Sequence, residues 1–263
     1  MSKKANLTIL MTSYCTLRCK LCATYASTNK NPKHYSCEEM IKGVDRFFDC
    51  MGEVELFTLS GGEPLLHPQL LKFIDHCRHY TDKMQKFEII TNGTIVPSNN
   101  ILEALARTDK VDIMIDDYGP ALSHNADTLV EAFNRFGIMH RRRKYYGEDA
   151  HLGGWLDISD FSDKKRKNEE NHALFQKCMY SNVFGQHYFL IDGSVFMCYV
   201  NNKLLADIKE REDERVEILD DNQSNEQIRE KLINLRNRSS LSVCAYCNGF
   251  CNDGVRHTPA EQF

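Results

Sequence analysis

Eleven cysteines stand in this chain of 263 residues, and eight of them fall into two sets. Cys15, Cys19 and Cys22 form a CxxxCxxC run near the start, while Cys178, Cys198, Cys244, Cys247 and Cys251 all lie behind residue 170. In a reducing compartment, cysteines at short spacings point to metal ligation before disulfides. Thiolates are soft ligands that suit iron–sulfur clusters or zinc. Three of them on an iron–sulfur cube leave one iron open to a further ligand, whereas a structural zinc site wants four closed ligands. Cys37, Cys50 and Cys77 sit in helix-like stretches and read as buried, inert thiols.

These residues need a scaffold, and the pattern supplies an α/β one. From Asn6 onward, short apolar runs alternate with amphipathic stretches, as in β/α units around a parallel sheet. Strands are expected at Leu7–Met11, Val54–Leu59, Phe87–Thr91, Val111–Ile115 and Gly137–His140, with a sixth at Gly154–Ile158. Helices are expected at Cys37–Met51, Pro68–Tyr80, Ile101–Arg107 and Thr128–Phe136, with Ser36 and Asp127 as caps. The polar run Asp160–Asn171 marks a junction, which divides the chain into residues 1–165 and 166–263. Beyond it, Asp192-Gly193 signals a tight hairpin between His187–Ile191 and Ser194–Val200, so Cys198 falls in its second strand. Asp207–Asp221 reads as a charged, exposed stretch and Asn225–Asn237 as a helix.

Composition narrows the partners. Hydrophobic residues at 42%, charged residues at 27% and a net charge of −4 are ordinary for a soluble globular protein and offer no basic footprint for nucleic acid. No apolar run reaches the length of a membrane span. Residues Met1–Leu10 carry no cleavage signature, so a cytoplasmic location is expected.

Two further segments give the first cysteine run a context. The second strand ends in Ser60-Gly61-Gly62-Glu63-Pro64-Leu65-Leu66 and the third in Thr91-Asn92-Gly93-Thr94. CxxxCxxC after the first strand, GGEP after the second and TNG after the third together resemble the radical S-adenosylmethionine superfamily. The resemblance implies a partial (β/α)6 barrel whose Cys15, Cys19 and Cys22 hold a [4Fe-4S] cluster that binds S-adenosylmethionine. It implies an electron donor such as flavodoxin or ferredoxin. It places Gly61, Gly62, Glu63 and Pro64, together with Asn92, at the cofactor, where glycines let backbone come close to a ligand. By strand alternation Asp112, Met114 and Asp116 share one face, which sets Asp116 either inside the barrel near the cofactor or at a solvated strand end.

The rear cysteines resemble the twitch variant of the SPASM auxiliary domains, a subgroup that includes the butirosin-pathway 2-deoxy-scyllo-inosamine dehydrogenase. That resemblance implies a small C-terminal domain holding a second [4Fe-4S] cluster on Cys178, Cys198, Cys244 and Cys247; the same four thiolates could also close on a zinc ion. Cys251 could replace one ligand, be an inert thiol, or donate a hydrogen atom as in radical epimerases of aminoglycosides. A 5′-deoxyadenosyl radical would then abstract hydrogen from a small carbohydrate-like or aminocyclitol substrate and lead to oxidation or epimerisation. A peptide substrate, as in the larger SPASM group, is one alternative, and a non-catalytic protein with two zinc sites is another. His140–Lys144 (HRRRK) reads as a solvated basic face or as a site for phosphate or carboxylate.

Overall fold

The computed structural model describes residues 5–183, 186–205 and 212–263. Met1–Lys4 and the first part of the charged stretch at 207–221 lie outside the described residues. Strand β1 (Ala5–Leu10) is followed by helix α1 (Cys37–Met51), β2 (Val54–Ser60), α2 (Leu70–Cys77), β3 (Met84–Thr91), α3 (Asn99–Ala106), β4 (Val111–Asp117), α4 (Ala126–Phe136) and β5 (His140–Lys144). These β/α units are joined parallel, in the spatial order β5-β4-β3-β2-β1. After them come β6 (Trp155–Leu156), α5 (Asn168–Lys177), β7 (Gln186–Ile191), β8 (Ser194–Phe196), α6 (Tyr199–Leu204), β9 (Val216–Glu217), α7 (Asn225–Arg236) and β10 (Arg256–His257).

The register divides the sheet into an apolar face and a polar one. Leu7, Phe57 and Phe87 stand side by side, as do Ile9, Leu59 and Ile89, and all six are fully buried on the helix side. Phe47 and Phe48 of α1 meet Tyr188 and Phe57 there with ring centroids 5.4 and 6.1 Å apart. Each fully buried aromatic or aliphatic side chain of this layer contributes about 2 kcal/mol. The opposite, concave face carries Thr8, Thr58, Glu88, Asp112, Asp116, Arg141 and Arg143, which is the polar lining expected of a barrel that receives a polar guest.

Several elements differ from the sequence reading. Gly154–Ile158 does not supply the sixth parallel strand: only Trp155–Leu156 is extended, and it pairs antiparallel with β10. Gly153 and Gly154, with φ of 69° and 123°, turn the chain away before it. The sixth parallel strand is β7, which docks on the far side of β1 and continues antiparallel into β8 and β9. The fifth strand begins at His140 because left-handed Gly137 (φ 67°) caps α4. Asp127 caps nothing; Asn125 holds the N-cap position and Asp127 pairs with Arg142. Ser36 does cap α1, accepting a hydrogen bond from the Glu39 amide. The charged stretch is only partly surface, since Glu214, Val216 and Ile218 are buried.

One lumenal contact yields a pH prediction. The Thr8 hydroxyl and His187 Nε2 are 2.7 Å apart inside the sheet, and burial, aided by the Arg236 guanidinium, pushes the His187 imidazole down to about 3. The folded protein therefore holds fewer protons here than the unfolded chain between pH 6.5 and 3. The His187 contribution is fully present above pH 6.5 and is lost as pH falls toward 3, by up to about 5 kcal/mol. Urea unfolding from pH 7 to pH 4 should show a steeper loss of stability for the wild type than for His187→Gln.

Candidate active site

The three front cysteines lie on the loop that leaves β1, and the turns after β2 and β3 hold that loop in place. Gly62 N donates to Thr12 O at 2.7 Å and Glu63 N donates to Tyr14 O at 2.8 Å. A Cβ on Gly62 would lie 2.0 Å from the Tyr14 carbonyl oxygen, and one on Gly61 would lie 2.4 Å from that of Thr12. The glycines are thus required by the close approach of backbone to the cysteine loop, where the sequence reading assigned them to close approach of a cofactor.

Glu63 is fully buried and its carboxylate braces two turns. Oε1 accepts from Leu65 N at 3.1 Å and Oε2 from Asn92 N at 2.8 Å. Burial pushes its carboxyl up to about 7 despite these donors. Asn92 reaches the cysteines directly: its Nδ2 donates to Cys15 Sγ at 3.4 Å and to Thr16 Oγ1 at 3.0 Å, while its Oδ1 accepts from Thr94 N and Thr94 Oγ1 at 3.1 and 2.6 Å. Leu17 N also donates to Cys15 Sγ at 3.4 Å, and Cys22 Sγ lies 3.3 Å from Thr24 Oγ1. Burial pushes Cys15 up to about 12 and Cys19 up to about 11, with the other thiols of the loop adding to the rise. Cys15 and Cys19 are therefore neutral unless a metal displaces their protons. Three thiols on one loop, two of them with N–H donors on their sulfurs, fit an iron–sulfur cube with one open iron.

Asp116 faces the concave side, as alternation required, but it is committed to a neighbour. Its carboxylate accepts from Arg143 Nε at 2.6 Å and from Nη2 at 2.9 Å, across the register pair Asp116–Arg143. Burial raises the Asp116 carboxyl and the guanidinium opposes that rise. The basic run is consumed in the same manner. Arg141 bonds Asp112 and Glu88, Arg142 bonds Asp117 and Asp127, and Lys144 pairs with Asp149. HRRRK is therefore a strand of ion pairs in which Arg141 and Arg142 stay exposed, closer to the solvated basic face than to a phosphate site.

The rear cysteines converge on a cavity whose lining includes Cys178, Cys198, Cys244 and Cys247 among apolar side chains such as Ile158, Phe175, Met197 and Val243. Cys178 follows α5. Cys198 lies past the hairpin and caps α6 through its sulfur, which accepts from Asn201 N at 3.3 Å, so it is not in the second strand. Cys247 Sγ accepts from Gly249 N at 3.2 Å. The CxxC loop is anchored from two sides: Arg166 donates to Cys244 O and Cys247 O at 2.9 and 2.8 Å, and buried Glu214 accepts from Ser242 N and Oγ. Burial pushes Cys244 up to about 12, Cys247 up to about 11 and Cys198 well above the ordinary thiol range. Among the described residues no three His, Cys, Asp or Glu side chains close on one point as the ligands of a single ion would. Four thiols on the walls of one cavity are a candidate metal centre.

Cys251 is buried, yet it does not line that cavity. The 247–251 segment is not helical, so the helical spacing that would align Cys251 with Cys247 is absent. Its thiol lies against Gly249, a Cβ on which would be 3.0 Å from Cys251 Sγ. Cys37, Cys50 and Cys77 are buried in the helix layer, as expected. Sequence reasoning missed a polar cleft beside Cys22, whose lining includes Thr24, Tyr25, Asn29, Tyr35, Asn202 and Lys203. No spacing signal marks these residues, because α6 brings Asn202 and Lys203 there from the far half of the chain. Among the described residues no helix is long and apolar enough to cross a membrane.

Comparison with known proteins agrees with this geometry. A probable GTP 3′,8-cyclase of Methanococcus maripaludis is 27% identical over 110 residues, which make up 42% of this chain and 36% of that protein. The matched region thus spans about a third of that relative. SuiB of Streptococcus suis bound to S-adenosylmethionine shares the fold with a TM-score of 0.56 at 13% identity, over 95% of this chain and 73% of its own. Native anSMEcpe with bound AdoMet does so with a TM-score of 0.55 at 15% identity, over 94% and 89%. The family model of the radical SAM superfamily matches residues 9–144, just over half of the chain. With that match falling on the β/α units and the cysteine loop described above, the chain belongs to the radical SAM superfamily, whose members are enzymes that use a [4Fe-4S] cluster and S-adenosylmethionine.

Proposed function

We propose that this enzyme oxidises a small polyhydroxylated or aminocyclitol substrate, with Cys15, Cys19 and Cys22 holding the first cluster and Cys178, Cys198, Cys244 and Cys247 a second. Residues 1–165 together with β7, the sixth parallel strand, form the radical-generating unit in this reading, and the rest of 166–263 the auxiliary, twitch-like one. The observation that carries it is the apolar cavity with four thiols on its walls and amide donors at two of the sulfurs. When bound and reduced, the first cluster supplies the electron that splits S-adenosylmethionine into methionine and a 5′-deoxyadenosyl radical, and the second offers a place for the electron the substrate gives up.

The chain's own residues set the rest. Gly61, Gly62 and Pro64 fix the turn beside the cysteine loop, and Glu63 and Asn92 tie that turn to Cys15. The cleft with Lys203, Asn29 and Asn202 offers hydrogen-bonding groups to hydroxyls or amines, and Lys203 favours an anionic substituent. Asp116 keeps Arg143 in place on the lumenal wall. Oxidation needs no hydrogen donor, so Cys251, which is not on the wall of the four-thiol cavity, carries no step in this reading, and epimerisation with Cys251 as donor is the alternative.

SuiB has been solved with the precursor peptide SuiA, so peptides belong in the test panel. The test follows 5′-deoxyadenosine and product mass on aminocyclitols, hexoses and peptides in deuterated solvent. A product two mass units lighter, formed equally by wild type and Cys251→Ala, supports the reading. An epimer carrying solvent deuterium, lost in Cys251→Ala, would overturn it.

A further inference from the structure

We propose that Gln262 tunes the first cluster by donating a hydrogen bond to the sulfur of Cys19. The inference rests on the reading that Cys19 is a ligand of that cluster. The sulfurs of Cys15 and Cys22 have their polar neighbours within the region shared with the superfamily, at Leu17, Asn92 and Thr24. Cys19 is served from far along the chain, because Gln262 Nε2 lies 3.2 Å from its Sγ.

The geometry fixes which end of the amide faces the sulfur. Oε1 accepts from Arg18 N at 2.7 Å, so this end must be the oxygen, and Nε2 is left with two hydrogens. One goes to Ala260 O at 2.7 Å and the other to Cys19 Sγ. Every donor and acceptor of the carboxamide is used, which leaves it no rotational freedom.

Backbone bonds hold the segment against the loop as a short antiparallel bridge. Lys20 N donates to Glu261 O at 2.7 Å and Phe263 N to Arg18 O at 3.0 Å, and Cys19 pairs with Gln262. The exposed Lys20–Glu261 ion pair adds little to this clasp. A donor on a ligand sulfur stabilises its negative charge and so favours the reduced, more negative cluster. Gln262 is thus a positioning residue that makes the first cluster easier to reduce.

The test is an EPR-monitored redox titration of the reconstituted full chain, with the first cluster identified as the signal that changes when S-adenosylmethionine is added. Gln262→Ala should keep its iron and shift the midpoint negative. Gln262→Glu, which keeps the acceptor for Arg18 N but sets an oxygen against the sulfur, should shift it further, by about a tenfold change in the reduction equilibrium or about 59 mV for one electron. Glu261→Ala should keep the wild-type midpoint. Unchanged midpoints in both Gln262 variants would overturn the proposal. So would loss of iron in both, or an equal shift in Glu261→Ala, because each would mean that the segment only clasps the loop. Survival of the cofactor-responsive signal in Cys19→Ala would instead refute the ligand reading beneath it.

Discussion

Gly62→Val is expected to remove iron from the first site and to cut cleavage of S-adenosylmethionine by about a thousandfold or more, equivalent to roughly 4 kcal/mol. The added Cβ would lie 2.0 Å from Tyr14 O, 2.6 Å from Tyr14 C and 3.0 Å from Cys15 Cβ. Backbone atoms cannot swing aside as a side-chain tip can, so the loop itself must shift and take Cys15 with it. The amide bonds from Gly62 to Thr12 and from Glu63 to Tyr14 would break in the same movement. Gly62→Ala carries the same Cβ and should follow the valine variant closely. Iron analysis and 5′-deoxyadenosine formation check this. A variant that kept its iron but bound no S-adenosylmethionine would mean that the glycine serves the cofactor alone.

Arg143→Ala should lower the stability of the chain by about 3 kcal/mol, because it strands the buried carboxylate of Asp116 without its partner. For a chain of this size that corresponds to a fall in Tm of about 6–12 °C. The double replacement Asp116→Leu with Arg143→Met should recover most of the loss, since paired removal leaves no uncompensated charge. Thermal unfolding of the single and double variants checks both statements. A single variant with the wild-type Tm would show that solvent or another cation screens Asp116.

The β/α alternation was legible because each strand is bounded by turn residues and each helix carries an apolar stripe. Helix α1 was found to the residue, since Ser36 caps it and Gly52 ends it. The place of the sixth strand was not legible. Apolar content at Gly154–Ile158 and at His187–Ile191 is similar, and what decides is which segment can lie along β1, a long-range fact with no local mark. Asp116 was placed on the correct face, but alternation says nothing of partners, and Arg143 becomes its neighbour only through strand register. The same holds for Cys198, whose exit from the hairpin into α6 depends on β8 ending at Phe196. Short motifs therefore named the cysteines, while the groups that hold their loops came from distant chain: Glu214 and Arg166 at the rear loop, and Gln262 at the front one.

The proposed enzyme would hold two iron–sulfur clusters on seven named cysteines. Iron and sulfide analysis of anaerobically reconstituted protein, read with Mössbauer spectra, tests it most directly. The account predicts about eight irons per chain as two cubanes. Replacing Cys15, Cys19 and Cys22 with alanine should leave about four, and replacing Cys178, Cys198, Cys244 and Cys247 should leave the other four. Zinc in place of iron at the rear cavity, or about four irons in the wild type with none lost from the rear-cysteine variant, would contradict it.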